Sequence, residues 1–239
     1  MSEIMNTDFS FNLRPEKAIN YIDSEKYIII SNWQDLWRND KVFNDEDIID
    51  DISNELKDAL KKKLEEGNTF YDFKKYIKPI IEAKGCNLSD WRLEFIYQTN
   101  VGIAHSVGRY EEQESIKDFM PYWQYTAIMD MKTRPEHAAL NGKVFKADDP
   151  FWNFFYPPNG FNCRCRVVTY TQQQFARKGL KLESTNNGAE IETVQVEVGR
   201  GNNKKLVETK SYKGNKVDTG WDYNPGEEFI RTKIAKIYL

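Results

Sequence analysis

Residues with metal-binding and nucleophilic chemistry are concentrated in one part of this chain. His137 stands in Thr133-Arg134-Pro135-Glu136-His137-Ala138-Ala139-Leu140-Asn141-Gly142. Cys163 and Cys165 stand in Tyr156-Pro157-Pro158-Asn159-Gly160-Phe161-Asn162-Cys163-Arg164-Cys165. Imidazole and thiolate are the ligands that zinc prefers. On an extended segment, Cys-x-Cys puts both sulfurs on one face, because strand side chains alternate, and leaves Arg164 and Arg166 on the other. The spacing admits a metal clip, a reactive thiol site, or two small buried hydrophobes beside a histidine at a helix cap. Asp130, at the end of a strand segment, would complete a mixed set of four ligands: Asp130, His137, Cys163 and Cys165. Its other reading is a turn former or a partner of Arg134, and structural zinc sites favour sulfur and imidazole over carboxylate.

The remaining chemistry is sparse. His105 lies near Asn100 and Arg109, a triple that could meet a phosphate or acidic group or form a polar seam between helices. A Cys163 or Cys165 nucleophile paired with His137 is chemically possible, but no oxyanion signature accompanies it. The chain has no Ser-His-Asp order, Gly-rich phosphate loop, H-E-x-x-H helix or EF-hand loop. No catalytic residue is therefore assigned.

Periodicity gives the elements that must position these groups. Arg14-Pro15-Glu16-Lys17-Ala18 reads as a helix start. Ile48, Ile52, Leu56, Leu60 and Leu64 make an amphipathic helix from about Asp45 to Glu66, stopped by Gly67. Phe70, Phe73, Ile77 and Ile80 mark a second helix ending near Gly85. Trp91, Phe95, Thr99 and Ile103 mark a third, running to Glu114. Short turns between them predict an antiparallel helical layer. Trp123 to Asp130 reads as a strand. A short helix is expected over Arg134–Leu140 with Thr133 as its N-cap, and a helical turn begins at Asp149-Pro150-Phe151-Trp152. Cys163 to Thr171 reads as a second strand, followed by a helix from Thr171 to Lys178 closed by Gly179. Val194, Val196 and Val198, then a Gly-Asn-Asn turn and Leu206 and Val207, predict a β-hairpin. The fold class is α+β: an N-terminal antiparallel helical layer, then a small mixed region with a Cys-x-Cys strand and a C-terminal β-hairpin. The expected organisation is an arm at 1–12, a helical region at 13–120 and an α+β region at 121–239, together one compact domain.

Composition sets the outer limits. A chain of 239 residues, 14% aromatic, can bury a sizeable core. Its net charge of -3 argues against a general polyanion binder. No run approaches a membrane span, the start is no signal peptide, and three cysteines at uneven spacing make no disulfide framework. A reducing cytoplasm is the expected compartment of synthesis. Charge is nevertheless segregated. Residues 45–58 hold seven acids and one Lys, the solvated face of a helix. Arg200, Lys204, Lys205, Lys210, Lys213 and Lys216 face a single acid, Glu208, within 200–216. That basic hairpin suits non-specific contact with DNA, an acidic partner, or a Lys-protected sheet edge.

Several motifs in order resemble the phage Mu F-like minor head proteins, the phage head-morphogenesis family. They are Tyr97-Gln98-Thr99-Asn100, Gly108-Arg109-Tyr110, Asp130-Met131-Lys132-Thr133-Arg134-Pro135-Glu136-His137 and Leu140-Asn141-Gly142-Lys143-Val144-Phe145. To these are added Asp148-Asp149-Pro150-Phe151-Trp152, Pro157-Pro158-Asn159-Gly160-Phe161-Asn162-Cys163-Arg164-Cys165 and Gly220-Trp221-Asp222-Tyr223-Asn224-Pro225-Gly226. The resemblance spans roughly residues 15 to 228. It implies a virion protein present in few copies, associated with the portal vertex or the procapsid interior. It also implies a role in head morphogenesis and DNA packaging or delivery. Expected partners are the portal protein, other capsid or scaffold proteins and non-specific DNA, with no membrane; expected locations are the phage head and, during assembly, the host cytoplasm. Some relatives carry an effector domain after the head domain; none is expected here, since the chain ends at Leu239. Relatives in the wider family have a Cys where His137 stands and a His within the Pro-Pro to Cys-x-Cys stretch, where this chain has Gly160 or a neighbour. His137, Cys163 and Cys165 are then the candidates for one structural zinc. The alternative is a metal-dependent enzyme such as a nuclease using Asp130, His137, Cys163 and Cys165, and a third class is a metal-free interaction module.

Overall fold

The computed structural model describes residues 15–24, 46–85, 87–198 and 204–237. The expected arm at 1–12 and Arg200 lie outside them.

The helical layer forms as the periodicity requires. Helix α1 (Pro15–Ser24) starts on its proline, whose missing N–H has no intrahelical partner to lose. Helix α2 (Glu46–Glu66) buries Ile52, Leu56, Leu60 and Leu64 on one stripe. Helix α3 (Phe70–Ala83) opens with a capping box in which the Thr69 side chain accepts from the Asp72 N–H and the Asp72 carboxylate takes the Thr69 N–H. It buries Phe73, Ile77 and Ile81; the last replaces the anticipated Ile80, which sits one position off the buried stripe. Helix α4 (Asp90–Ser115) is capped by Ser89 and is buried on more than one side. It runs from a first apolar cluster, shared with α1, α2 and α3, into a second one.

The second cluster explains the aromatic composition. Strand β1 (Tyr122–Thr126), helix α5 (Pro135–Leu140), β2 (Val144–Lys146), α6 (Phe151–Phe155) and β3 (Arg166–Tyr170) follow in order. The strands form an antiparallel sheet, β2-β1-β3, in which Trp123 pairs with Phe145 on one side and Thr169 on the other. Trp123, Tyr125, Phe145, Phe151, Trp152, Phe155 and Tyr156 are all at least 98% buried. Phe145 stacks on Phe151 at 4.0 Å, and Tyr110 of α4 meets Tyr156 edge-on at 5.0 Å. Each such ring contributes about 1.5–3 kcal/mol by burial alone. Helix α7 (Gln172–Arg177) lies in the expected span, and Thr171 starts it with a second capping box.

Two boundaries differ from the sequence reading. β1 ends at Thr126, not Asp130, because the pairing partners end there: the Gly142 N–H donates to the Tyr125 carbonyl, and the Asn141 side chain takes the Ala127 N–H. β3 begins at Arg166, not Cys163, because the preceding residues form a turn in which the Cys163 N–H donates to the Gly160 carbonyl and Asn162 has φ 55°. Thr133 is also not the N-cap of α5. Arg134 holds that position, and the Thr133 hydroxyl bonds to the Ile128 carbonyl instead.

The hairpin is present as β4 (Ile191–Val198) and β5 (Lys205–Tyr212), and a two-residue β6 (Asn215–Lys216) extends it to a second three-stranded sheet. Tyr212 carries this sheet into the aromatic cluster. Helix α8 (Pro225–Ile237) was not anticipated, although Asn224, Pro225 and two glutamates in its first turn are start signals. It packs on α4 through Phe229, with Trp221, Ile103 and Val107.

Candidate metal centre

The site is assembled by three separate segments. α5 carries His137, which is 98% buried. The turn after Asn159 carries Cys163 and Cys165, both half-buried free thiols. Arg134, at the start of α5, donates to the Phe161 carbonyl at 3.0 Å and pairs with Asp218 at 3.0 Å, so one guanidinium ties α5 to the cysteine turn and to the segment after β6.

The ligand atoms converge. Both sulfurs lie 3.7 Å from His137 Nδ1, and the three atoms lie within 4.8 Å of one another. Bonds of about 2.0–2.1 Å to nitrogen and 2.3 Å to sulfur at a tetrahedral angle require nitrogen and sulfur to be about 3.5 Å apart. His137, Cys163 and Cys165 are thus positioned to hold a metal. Strand alternation is not the cause, since neither cysteine is in a strand. The turn folds both sulfurs back toward α5.

The surroundings favour a thiolate at Cys163. Cys163 is held well below the ordinary thiol range, first by the hydrogen bond from Cys165 and then by His137 and the Asn159 N–H. Cys165, which donates to it, is pushed up by that bond and by burial. The buried Tyr125 hydroxyl lies beside Cys165 and donates to Asn159 Oδ1 at 2.8 Å. The Asn159 N–H at Cys163 is a donor of the kind that orients a metal-bound thiolate. His137 Nε2 is buried without a hydrogen-bond partner.

Asp130 is not brought into this group. Its exposed carboxylate accepts hydrogen bonds from both Arg164 nitrogens, at 2.8 and 2.6 Å, and from the Lys132 N–H, and these hold its pKa well below the usual carboxylate range. The partner is therefore Arg164, between the two cysteines, and not Arg134. Asp218 is the residue that sequence reasoning missed. Its carboxylate lies over Gly160, where an added Cβ would come within 2.7 Å of Asp218 Cγ, and its charge acts on His137 and Cys163. No local spacing could have joined residues 160 and 218.

The basic hairpin is partly self-neutralised. Lys204 pairs with Glu197 at 2.9 Å, and Lys213 with Glu190 at 3.1 Å and Glu183 at 3.5 Å. Lys210 donates to Thr193 and lies over the Phe154 ring. Lys205 and Lys216 are exposed. In the His105 triple, Asn100 is turned back on its own helix, donating to the Ile96 carbonyl at 2.7 Å. Among the described residues no helix is long and apolar enough to cross a membrane.

Comparison with known proteins covers the same ground. Residues 54–168, from α2 through most of β3 and including the clip, match the family model described as Phage Mu protein F like protein. The chain is 31% identical to the "Putative capsid assembly protein F" of Escherichia phage Mu, across 96% of this chain and 58% of that protein. It is 38% identical to the "Mu-like prophage FluMu F protein" of Haemophilus influenzae, across 60% of this chain and 36% of that protein. The chain thus spans a little over half the length of the first relative and about a third of the second. No solved structure matches it. The chain belongs to the Phage Mu protein F like family.

Proposed function

We propose that this chain is a capsid assembly protein of a Mu-like phage. It acts in procapsid and head morphogenesis near the portal and in DNA packaging or delivery, and one structural zinc fastens its fold. The observation that supports the assembly role is the similarity to a protein named for capsid assembly along 96% of the chain. In this reading the chain is made in the host cytoplasm, enters the virion head, and has the portal, capsid or scaffold proteins and non-specific DNA as partners. No catalytic turnover is assigned. The nuclease reading needs Asp130 in the metal set, and Asp130 is engaged by Arg164.

The three-ligand geometry supports the zinc. When bound, zinc supplies a cross-link between α5 and the cysteine turn, and such a site contributes folding energy outright. His137 would provide an imidazole nitrogen and Cys163 and Cys165 the charge, with the Asn159 N–H donating to Cys163. Protein purified without chelator should contain about one zinc per chain; metal analysis finding none overturns the zinc reading. Inactivating the gene in its phage or prophage should leave induced cells without infectious heads, and mass spectrometry should find the chain in wild-type heads. Normal infectious heads made without it would overturn the assembly role.

A further inference from the structure

The second sheet leaves one strand open. Among the described residues β4 pairs only with β5, and β5 lies between β4 and β6. The outer edge of β4 therefore presents backbone N–H and C=O groups that no described strand takes up. Folded proteins blunt such an edge with lysine, proline or a bulge. β4 reads Ile-Glu-Thr-Val-Gln-Val-Glu-Val, with neither lysine nor proline. Its ladder runs residue for residue from Ile191 opposite Tyr212 to Val198 opposite Lys205, with no bulge. Lys205 and Lys210 stand instead on β5, whose own outer edge is covered by β6 only at Ser211 and Tyr212. One side of the sheet is guarded by lysine and the other is not. Strand alternation puts the half-buried Val194, Val196 and Val198 on one face of β4, with Val207 opposite Val196. The exposed Thr193, Gln195 and Glu197 share the other face.

We propose that the free edge of β4 pairs antiparallel with β4 of a second copy of this chain, joining the two hairpins across a two-fold axis at Gln195. A two-fold axis perpendicular to the sheet makes the contact self-complementary and keeps like faces together. In this register each copy's Val194 meets the other's Val196, so the valine stripe continues from one hairpin to the next. Such cross-strand pairs are what stabilise a sheet. Glu192 meets Val198, and Glu197 meets Thr193. The Thr193 hydroxyl accepts from Lys210 Nζ at 2.8 Å, so Glu197 of one copy is brought toward a cation of the other. Glu197 is also neutralised within its own chain by Lys204 at 2.9 Å. Other registers are poorer. Centred one residue earlier, Glu197 would face Ile191; centred on Glu192 or Glu197, the acids would oppose each other. The pairing rests on neither the assembly role nor the zinc.

The test is sedimentation of the whole chain over a concentration series. Residues 192–198 alone make a small contact, so the wild type should pass from monomer to dimer as its concentration rises toward about 100 μM. Gln195→Lys sets two cations face to face on the axis and should weaken self-association about fivefold. Within one chain the new lysine faces Glu208 of β5, so the variant should melt no lower than the wild type at low concentration. Gln195→Glu should also stay monomeric. An equimolar mixture of the two variants sets lysine against glutamate across the axis and should restore the dimer. A wild type that remains monomeric overturns the proposal and leaves the edge to a strand of another protein. A dimer indifferent to Gln195→Lys, or a mixture that fails to associate, places any self-contact elsewhere and overturns it too.

Discussion

At the scale of residues, the clip is a group of three side chains whose mutual distances already suit a tetrahedral cation. Cys163→Ser should therefore abolish stoichiometric zinc and lower the melting temperature by several degrees, and chelation of the wild type should have the same effect. Acid should do likewise. A metal binds in place of the thiol protons, so occupancy should fall as pH drops. Metal analysis across a pH series checks this. Asp130→Asn should leave zinc stoichiometry unchanged, because its carboxylate serves an exposed pair with Arg164. The grouping of His137, Cys163 and Cys165 was legible from residue type and nearness in sequence. The role of Asp130 was not, because an ion pair across 34 residues depends on how the turn aims Arg164. Asp218 was invisible for the same reason, at a greater separation.

At the scale of elements, the long apolar stripes of α2 and α3 and the helix start at Thr171 were readable because helix period is local. Strand ends were not, since β1 and β3 stop where partners stop, and pairing is a tertiary property. The first turn of α4 yields a pH prediction. Hydrogen bonds from Lys74 and then Lys78 hold the Asp90 carboxyl at about 2, below its usual 3.8. The folded state thus binds this proton less readily than the unfolded state. The resulting stability is present above about pH 4 and is lost as pH falls toward 2. Asp90→Asn should lower the melting temperature modestly at pH 7 and much less near pH 2, where about half of the folded carboxyls are protonated. A difference undiminished at pH 2 would show that the side chain works by something other than its charge.

At the scale of the whole molecule, α4 joins the aliphatic and aromatic clusters, and α8 closes over it. Gly226 lies so near Tyr110 that an added Cβ would fall 2.5 Å from Tyr110 Cγ. Tyr110 is itself wedged edge-on between Trp123 and Tyr156, so it has nowhere to move. Gly226→Ala should cost about 1–3 kcal/mol, read from denaturant melts. The two-part organisation was legible in the change of hydrophobic period near residue 120, but the closure by α8 was not, because it rests on a contact between residues 110 and 226. The surface charge gives a weaker expectation than the sequence alone. With Lys204 and Lys213 engaged by glutamates, the hairpin should neutralise about two or three phosphates. The logarithm of DNA affinity should then fall against that of salt with a slope near -2 to -3. Lys205→Gln with Lys216→Gln should flatten it, and an unchanged slope would remove the hairpin from DNA contact.

Tyr21 of α1 meets Phe229 of α8 edge-on at 5.6 Å, and both helices rest on α4. The ribosome makes these two partners at opposite ends of the work. While the sheet and hairpin are emerging, Ile103 and Val107 on α4 have Tyr21 and Phe161 near them but await a cover completed by Trp221 and Phe229. A nascent chain stalled or cut before Trp221 therefore displays an oily stripe to the host's chaperones and proteases. Incomplete copies should be cleared from the cell before any particle can take them in.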